Sequence, residues 1–395
     1  MDRQPSAPKV VIIGGGGTGG ALAHDLTQRG VRVTLVERGE ITSGTTGRHH
    51  GLLHCGARYA VKDRESAVEC IEENTILRRI APGSFELNDG LFVAVTDAEA
   101  DYEKVFFESC QAAGIPVRRV DRAEALRLEP RLNPELRCAV QVPDGTMDAM
   151  RMPLRFFATA KRNGAEIRPF NEVVGLTMTD AASPRAVTGV SVKDLTSGRT
   201  YEIGADLVVN AGGPWAGKVA SMAGVDVPIQ PSPGILVAVR GRYCNMVVNR
   251  LHASGDGDIV VPQRELSVIG TSSWVTDDPD HLTVPSDHVE MMFREGSMMI
   301  PSIRGAEVRA TWSAARPLIG ERGASTGREL SRTFKCFDHA ADDGVEGFVT
   351  ISGGKATTLR AMAEATADVV CRKLGVDRPC MTREVVLLPH TEYYA

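Results

Sequence analysis

The chain has 395 residues, of which 43% are hydrophobic and 24% charged, with a formal net charge of −5. That length suits two domains better than one core, and the mildly acidic balance leaves no electrostatic footprint for nucleic acid. No apolar run approaches the ~20 residues of a bilayer span, and the polar, proline-bearing start at 1–9 lacks the apolar stretch of a signal peptide.

The first predicted elements form one unit. Val10-Val11-Ile12-Ile13 reads as a strand, and Gly14-x-Gly16-x-x-Gly19 as a glycine turn that also carries Gly17 and Thr18. A helix is expected over 21–29 with Gly30 as its stop, then a second strand over 33–36 closed by Glu37. This is the pattern of a dinucleotide site. The glycines permit a sharp turn, close approach to a pyrophosphate and tight helix–strand packing. The helix N-terminus offers N–H groups and a positive dipole end to phosphates. Glu37 is placed to accept hydrogen bonds from an adenosine ribose.

Farther along, periodicity predicts helices over 64–80, 98–113 and 152–163, with strands at 90–96, 117–120 and 165–168. A β-meander is expected over 172–179, 186–194 and 199–203, followed by an apolar strand into Ala211-Gly212-Gly213. From 228 to 316 the pattern reads as short strands, one of them at 266–271, with one helix near 286–299. A last strand at 347–351 runs into Ser352-Gly353-Gly354-Lys355, and a helix is expected from Thr357 to Leu374. The expected class is α/β. A Rossmann-like nucleotide domain made of 1–85, 146–227 and 313–395 is interleaved with an antiparallel-sheet substrate domain made of 86–145 and 228–312. The eight cysteines are scattered without C-x-x-C spacing, so no zinc or iron–sulfur site is expected and reduced thiols in the cytoplasm are.

Four stretches carry a resemblance: 41–59 (with Ser43-Gly44-Thr45-Thr46-Gly47-Arg48-His49-His50), Pro143-Asp144-Gly145-Thr146-Met147-Asp148, Trp312 to Leu318, and 351–360. Together they resemble the FAD-dependent glycerol-3-phosphate dehydrogenases, above all the catalytic subunit of the anaerobic bacterial enzyme. The resemblance spans about 9–388. It implies a fold like that of the D-amino-acid-oxidase flavoproteins, and FAD rather than NAD in the glycine-turn site. It adds Arg38, Thr45, Thr46, Gly47, His50, Leu52, Val173, Ala211, Gly212, Gly353, Gly354, Lys355, Ala356 and Thr357 to the cofactor residues. The family's C-terminal iron–sulfur domain has no counterpart in these 395 residues, so electrons are expected to leave to a separate acceptor: oxygen, a quinone or a redox protein. Where the family has a lysine, this chain has Pro233, which loosens the identity of the substrate.

His49, His50 and His54 lie within six residues, but no acid stands at metal spacing, so no metal is expected. His50 and His54 match family positions beside the flavin, either one suited to position it or move a proton. Lys355 is the third catalytic candidate, facing the substrate hydroxyl or the flavin carbonyl. Arg58 and Tyr59 match a family pair at the substrate end. Arg316 sits in a near-apolar stretch, where a buried guanidinium needs an anion. With Arg332, also a family match, it forms a clamp suited to a phosphate.

The expected reaction is oxidation of a small anionic polyol, sn-glycerol 3-phosphate to dihydroxyacetone phosphate, by hydride transfer to flavin N5. The alternatives are another phospho- or phosphonate alcohol, a 2-hydroxy acid or an amine on the same scaffold, or an electron-relay subunit. The expected setting is the cytoplasm, with a peripheral contact at the inner face of the membrane left open. Oligomeric state has no sequence signal.

Overall fold

The computed structural model describes residues 7–179, 184–320 and 333–395. A six-stranded sheet lies at the centre, in the order Phe334–Asp338, Phe348–Gly353, Leu207–Asn210, Lys9–Ile13, Arg32–Val36, Glu166–Arg168. All its pairings are parallel except the antiparallel edge strand Phe334–Asp338. Parallel strands need both faces covered, which is why they read as near-continuous apolar runs. On one face pack the helices Gly17–Gln28, Arg151–Arg162 and Leu359–Leu374, around Leu22, Leu26, Phe156, Phe157 and Ala363. On the other lies the meander Asn171–Met178, Val187–Asp194, Thr200–Gly204, around Val190, Val192 and Phe348.

The second unit is an eight-stranded sheet. Its order is Val308–Ile319, Ile229–Arg240, Leu266–Gly270, Ile259–Gln263, Val247–Arg250, Gly90–Ala94, Cys138–Val142, Arg118–Val120. Helix Ser286–Met299 covers part of one face through Met292 and Met299.

Three details differ from the sequence reading. The region after 228 is not built only of short strands: Ile229–Arg240 and Val308–Ile319 each run 12 residues and pair along almost their whole length. Pro231 and Pro233 disguised the first of these, because proline removes a ladder donor. Its other neighbour, Leu266–Gly270, pairs only with Leu236–Arg240; beyond it the carbonyls of Pro231 and Pro233 accept from Thr276 N–H and Trp274 N–H, and the ladder asks for neither missing N–H. The sheet is also not purely antiparallel, since Val247–Arg250 and Gly90–Ala94 pair in parallel. The last helix begins at Leu359, after a 3-10 turn over Ala356–Thr358, rather than at Thr357.

Candidate active site

The glycine turn meets the sequence expectation, with the contacts resolved. An added Cβ on Gly14 would come 2.5 Å from the carbonyl oxygen of Ala211, and one on Gly19 2.0 Å from that of Gly14. These two glycines therefore serve packing between turn, helix and strand. Gly14 lines the cavity as well, as do Gly16 and Gly17, whereas Gly19 does not. The turn's N–H groups are not all open to a ligand. Gly15 N–H donates to Glu37 Oε2 at 2.7 Å, and Gly17 N–H to Thr46 Oγ1 at 3.0 Å. Glu37 also accepts from Gly39 N–H at 2.8 Å, which fixes its carboxylate at the edge of the cavity.

From this turn a cavity of about 570 Å³ runs between the two sheets, within the ~300–1,000 Å³ common for cofactor and ligand sites. It touches Glu37 and Arg38, then Thr45, Thr46 and Arg48. It ends among His49, His50, His54, Arg58, Tyr59, Arg316 and the stretch Gly353-Gly354-Lys355-Ala356. Leu52, Val173, Ala211, Gly212 and Thr18 line it as well. Gly19, Gly47 and Thr357 were expected on the cofactor and stand behind the wall. Gly47 N–H donates to Thr42 O at 2.8 Å, and a Cβ there would meet that same oxygen. Thr357 Oγ1 accepts the backbone N–H of His54 at 3.1 Å. Arg332 lies outside the described residues.

The histidine stretch is held from three sides. Asn74 Nδ2 donates to the carbonyl of His54 at 3.1 Å, Thr357 accepts its N–H, and Asp144 accepts the N–H of Cys55 at 2.8 Å. Asp144 comes from the Pro143–Asp148 stretch, so that stretch serves the loop rather than a ligand. The rings then form a chain, with His50 to His54 at 5.9 Å and His54 to Tyr59 at 5.5 Å between centroids. His50 Nδ1 accepts the N–H of Leu52 at 3.1 Å, which leaves its proton on Nε2. Burial, followed by the neighbouring His54, His49, Arg316 and Arg58, holds His50 well below the usual histidine range. It is a neutral N–H donor, which disfavours it as the base. Burial pushes His49 down to about 4, and its Nε2 is buried without a partner among the described residues.

Three cations reach the same end. Arg316 donates through Nη1 to Ser232 O at 3.2 Å and through Nη2 to Ser272 O at 3.0 Å and to Thr271 Oγ1. These carbonyls and this hydroxyl orient the guanidinium. Lys355 Nζ lies 3.5 Å from Glu69 Oε2 and 5.2 Å from the centre of the Tyr59 ring. Desolvation raises the pKa of Glu69 against the pull of that lysine. Arg58 Nη2 pairs with buried Asp258 Oδ1 at 2.5 Å. Sequence reasoning did not find Asp258.

Nor did it find the clasp at the other end. Asp280, on the loop before helix Ser286–Met299, accepts from Arg38 Nη2 at 2.7 Å, Lys218 Nζ at 2.8 Å and Trp215 Nε1 at 2.8 Å. The Arg38 guanidinium sits 4.3 Å over the Trp215 ring. Asp280 belongs to a connection in the eight-stranded unit and its partners to the nucleotide unit, so the contact closes the cavity beside Glu37. Only the Asp-Asp-Pro-Asp cluster at 277–280 was a sequence signal, and it reads as an ordinary polar turn.

The cavity fits FAD. It is long, its wall at Gly16, Gly17, Gly353 and Gly354 lacks side chains, and Gly353 and Gly354 hold positive φ of 86° and 70°. A Cβ at Gly16 would already press on Thr46 Oγ1 at 3.2 Å. Among the described residues no group of histidine, cysteine, aspartate and glutamate is arranged to hold a metal ion, and no helix is long and apolar enough to cross a membrane.

Comparison with known proteins agrees. The family model for FAD-dependent oxidoreductases matches residues 9–369. One subunit of the anaerobic glycerol-3-phosphate dehydrogenase of Escherichia coli K12 is 42% identical over 387 residues, covering 98% of this chain and 71% of that protein. The crystal structure of glycerol-3-phosphate dehydrogenase from Bacillus halodurans, complexed with FAD, superposes with a TM-score of 0.76 at 25% identity. It covers 97% of this chain and 68% of that one. Glycine oxidase from Geobacillus kaustophilus shares the fold, with a TM-score of 0.73 at 23% identity over 93% of this chain and 95% of that one. The glycine turn, the long cavity and these matches together make the chain a member of the FAD-dependent oxidoreductase family typified by D-amino-acid-oxidase-like enzymes, with FAD as its cofactor.

Proposed function

We propose that the chain oxidises sn-glycerol 3-phosphate to dihydroxyacetone phosphate and passes the electrons to a separate acceptor. The observation that carries this reading is the convergence of Arg316, Arg58 and Lys355 on His54 and Tyr59 at one end of the cavity. A phosphate ester is a dianion at neutral pH. Arg316, oriented by the carbonyls of Ser232 and Ser272, supplies charge and a planar fork of donors for it. FAD held there would supply the hydride acceptor for the carbinol carbon. In the chain itself, Glu37, the glycine turn, Thr45, Thr46 and the 353–356 stretch hold the cofactor. His50 donates its Nε2 proton as a hydrogen bond, and His54 removes the hydroxyl proton, while Lys355, a cation beside Glu69, contributes charge. Binding energy from the phosphate serves the geometry of the reacting carbon.

Pro233 supports a second reading. Its carbonyl receives Arg316 Nη1 at 3.4 Å, and no cation stands at this position, so a substrate of lower charge is the rival: a 2-hydroxy acid or an amine. A substrate panel with an artificial acceptor decides. The expected order puts sn-glycerol 3-phosphate far ahead of glycerol, lactate and glycine. In Arg316→Ala, KM for the phosphate ester rises about 10- to 100-fold, from loss of charge-assisted hydrogen bonds. Faster turnover of lactate or glycine than of the phosphate ester would overturn the proposal.

A further inference from the structure

Two largely buried arginines set a contrast with Arg58. Arg360, fully buried, spends Nε, Nη1 and Nη2 on Glu73, Thr382 and Glu364. Arg250 spends Nη1 on Glu295 and Nη2 on Glu99. These are structural pairs, engaged at both ends. Arg58 is different. Its Nη2 donates to Asp258 Oδ1 at 2.5 Å and to Gly255 O at 3.1 Å, which uses both hydrogens of that nitrogen. Among the described residues, its Nε and Nη1 reach no protein acceptor, and they are not sealed off in the core. The side chain lines the cavity.

Asp258 is built to hold one edge of that guanidinium. Its side chain is 1% exposed, a costly place for a carboxylate without a partner. Its second oxygen accepts Gly255 N–H at 2.8 Å, so the loop ahead of strand Ile259–Gln263 fixes the carboxylate before the arginine arrives. Arg58 comes from the other unit, in the 3-10 turn Ala57–Tyr59 that follows Gly56 at φ 97°. An arginine free to sample its rotamers loses roughly 2 kcal/mol of side-chain entropy when a ligand orders it. One held beforehand avoids most of that cost.

We infer that Asp258 is a positioning residue for the substrate anion: it clamps Arg58 through Nη2 so that the unspent Nη1 group faces the cavity as a preformed anion donor. The inference rests on the anion end proposed above. It also implies that Arg58 acts there through hydrogen-bond geometry more than through net charge, because Asp258 offsets its charge.

The test is a double-mutant cycle on the FAD-loaded protein. Inorganic phosphate is the probe, read by perturbation of the flavin absorbance, with flavin content and melting temperature as folding controls. In Asp258→Ala, phosphate affinity falls about tenfold or more. In Asp258→Asn, which keeps an acceptor and the shape, it falls about threefold. Both effects vanish in an Arg58→Ala background, and KM for sn-glycerol 3-phosphate moves in parallel while kcat changes less. Unchanged phosphate affinity in both variants overturns the inference. So do equal losses with and without Arg58, which mark a general loop role, and so does a wild type that binds no phosphate. A wild type that binds phosphate through this pair, yet leaves sn-glycerol 3-phosphate unoxidised, would sink the proposed substrate and spare the inference.

Discussion

At the residue scale, the histidines divide by what surrounds them. His24 is fully buried in the helix Gly17–Gln28, with neither ring nitrogen partnered among the described residues, and burial pushes it down to about 4. In the unfolded chain it titrates at its ordinary value. Between those two values the unfolded state binds the proton that the folded state refuses, so stability rises with pH across the window. It is fully present above about 6.5 and drains away as pH falls toward 4, by roughly 3 kcal/mol for a shift of this size. His49 acts in the same direction. Replacing His24 by Leu is therefore expected to flatten the fall in melting temperature between pH 7 and pH 5, read by calorimetry. An unchanged slope would show that this ring does not set it.

At the element scale, the loop carrying Asp280 joins two units that otherwise meet across the cavity. Asp280 is partly shielded. Burial alone pushes its carboxyl up, but hydrogen bonds from Lys218, Arg38 and Trp215 hold it well below the usual carboxylate range. Breaking the clasp with Asp280→Ala is expected to speed FAD dissociation several-fold, with little change in secondary structure. Added salt is expected to speed FAD loss in the wild type more than in the variant, because screening acts on the exposed pairs that the variant lacks. Filtration followed by absorbance of the released flavin measures it. Equal retention in both proteins would mean that the loop does not close the site.

This clasp also marks where sequence reading stops. The glycine turn was legible because its requirement is local: a Cβ at Gly14 or Gly19 strikes backbone within a few ångströms. The helices at 64–80 and 286–299 were legible through periodicity, with ends matching Arg64–Ile80 and Ser286–Met299. Asp258 and Asp280 were not, because each acquires its meaning from a partner some 200 residues away. Pro231 and Pro233 misled for the opposite reason. They break a local rule that is harmless here, because the ladder with Leu266–Gly270 stops at Leu236 and what packs beside the prolines uses only their carbonyls.

At the scale of the whole molecule, the fold sets a nucleotide unit with a parallel sheet against a mostly antiparallel sheet and leaves a long cavity between them. The parallel unit supplies the glycine turn, Glu37, Lys355 and the histidine loop with Arg58. The larger sheet supplies Arg316, Asp258 and the carbonyls that hold Arg316. Neither unit alone lines the whole cavity, so the proposed cofactor cradle and the proposed anion site come together only where the two units face each other. The same scaffold in glycine oxidase means that the substrate is set by the side chains at the end of the cavity, not by the fold. The most direct test is an anaerobic titration of the purified flavoprotein with sn-glycerol 3-phosphate, followed by the visible absorbance of the flavin. Bleaching by about one equivalent of substrate, with dihydroxyacetone phosphate appearing in step, is the result predicted from hydride transfer to the bound cofactor. A flavin that stays oxidised with this substrate, while glycine or lactate bleaches it, would contradict the account.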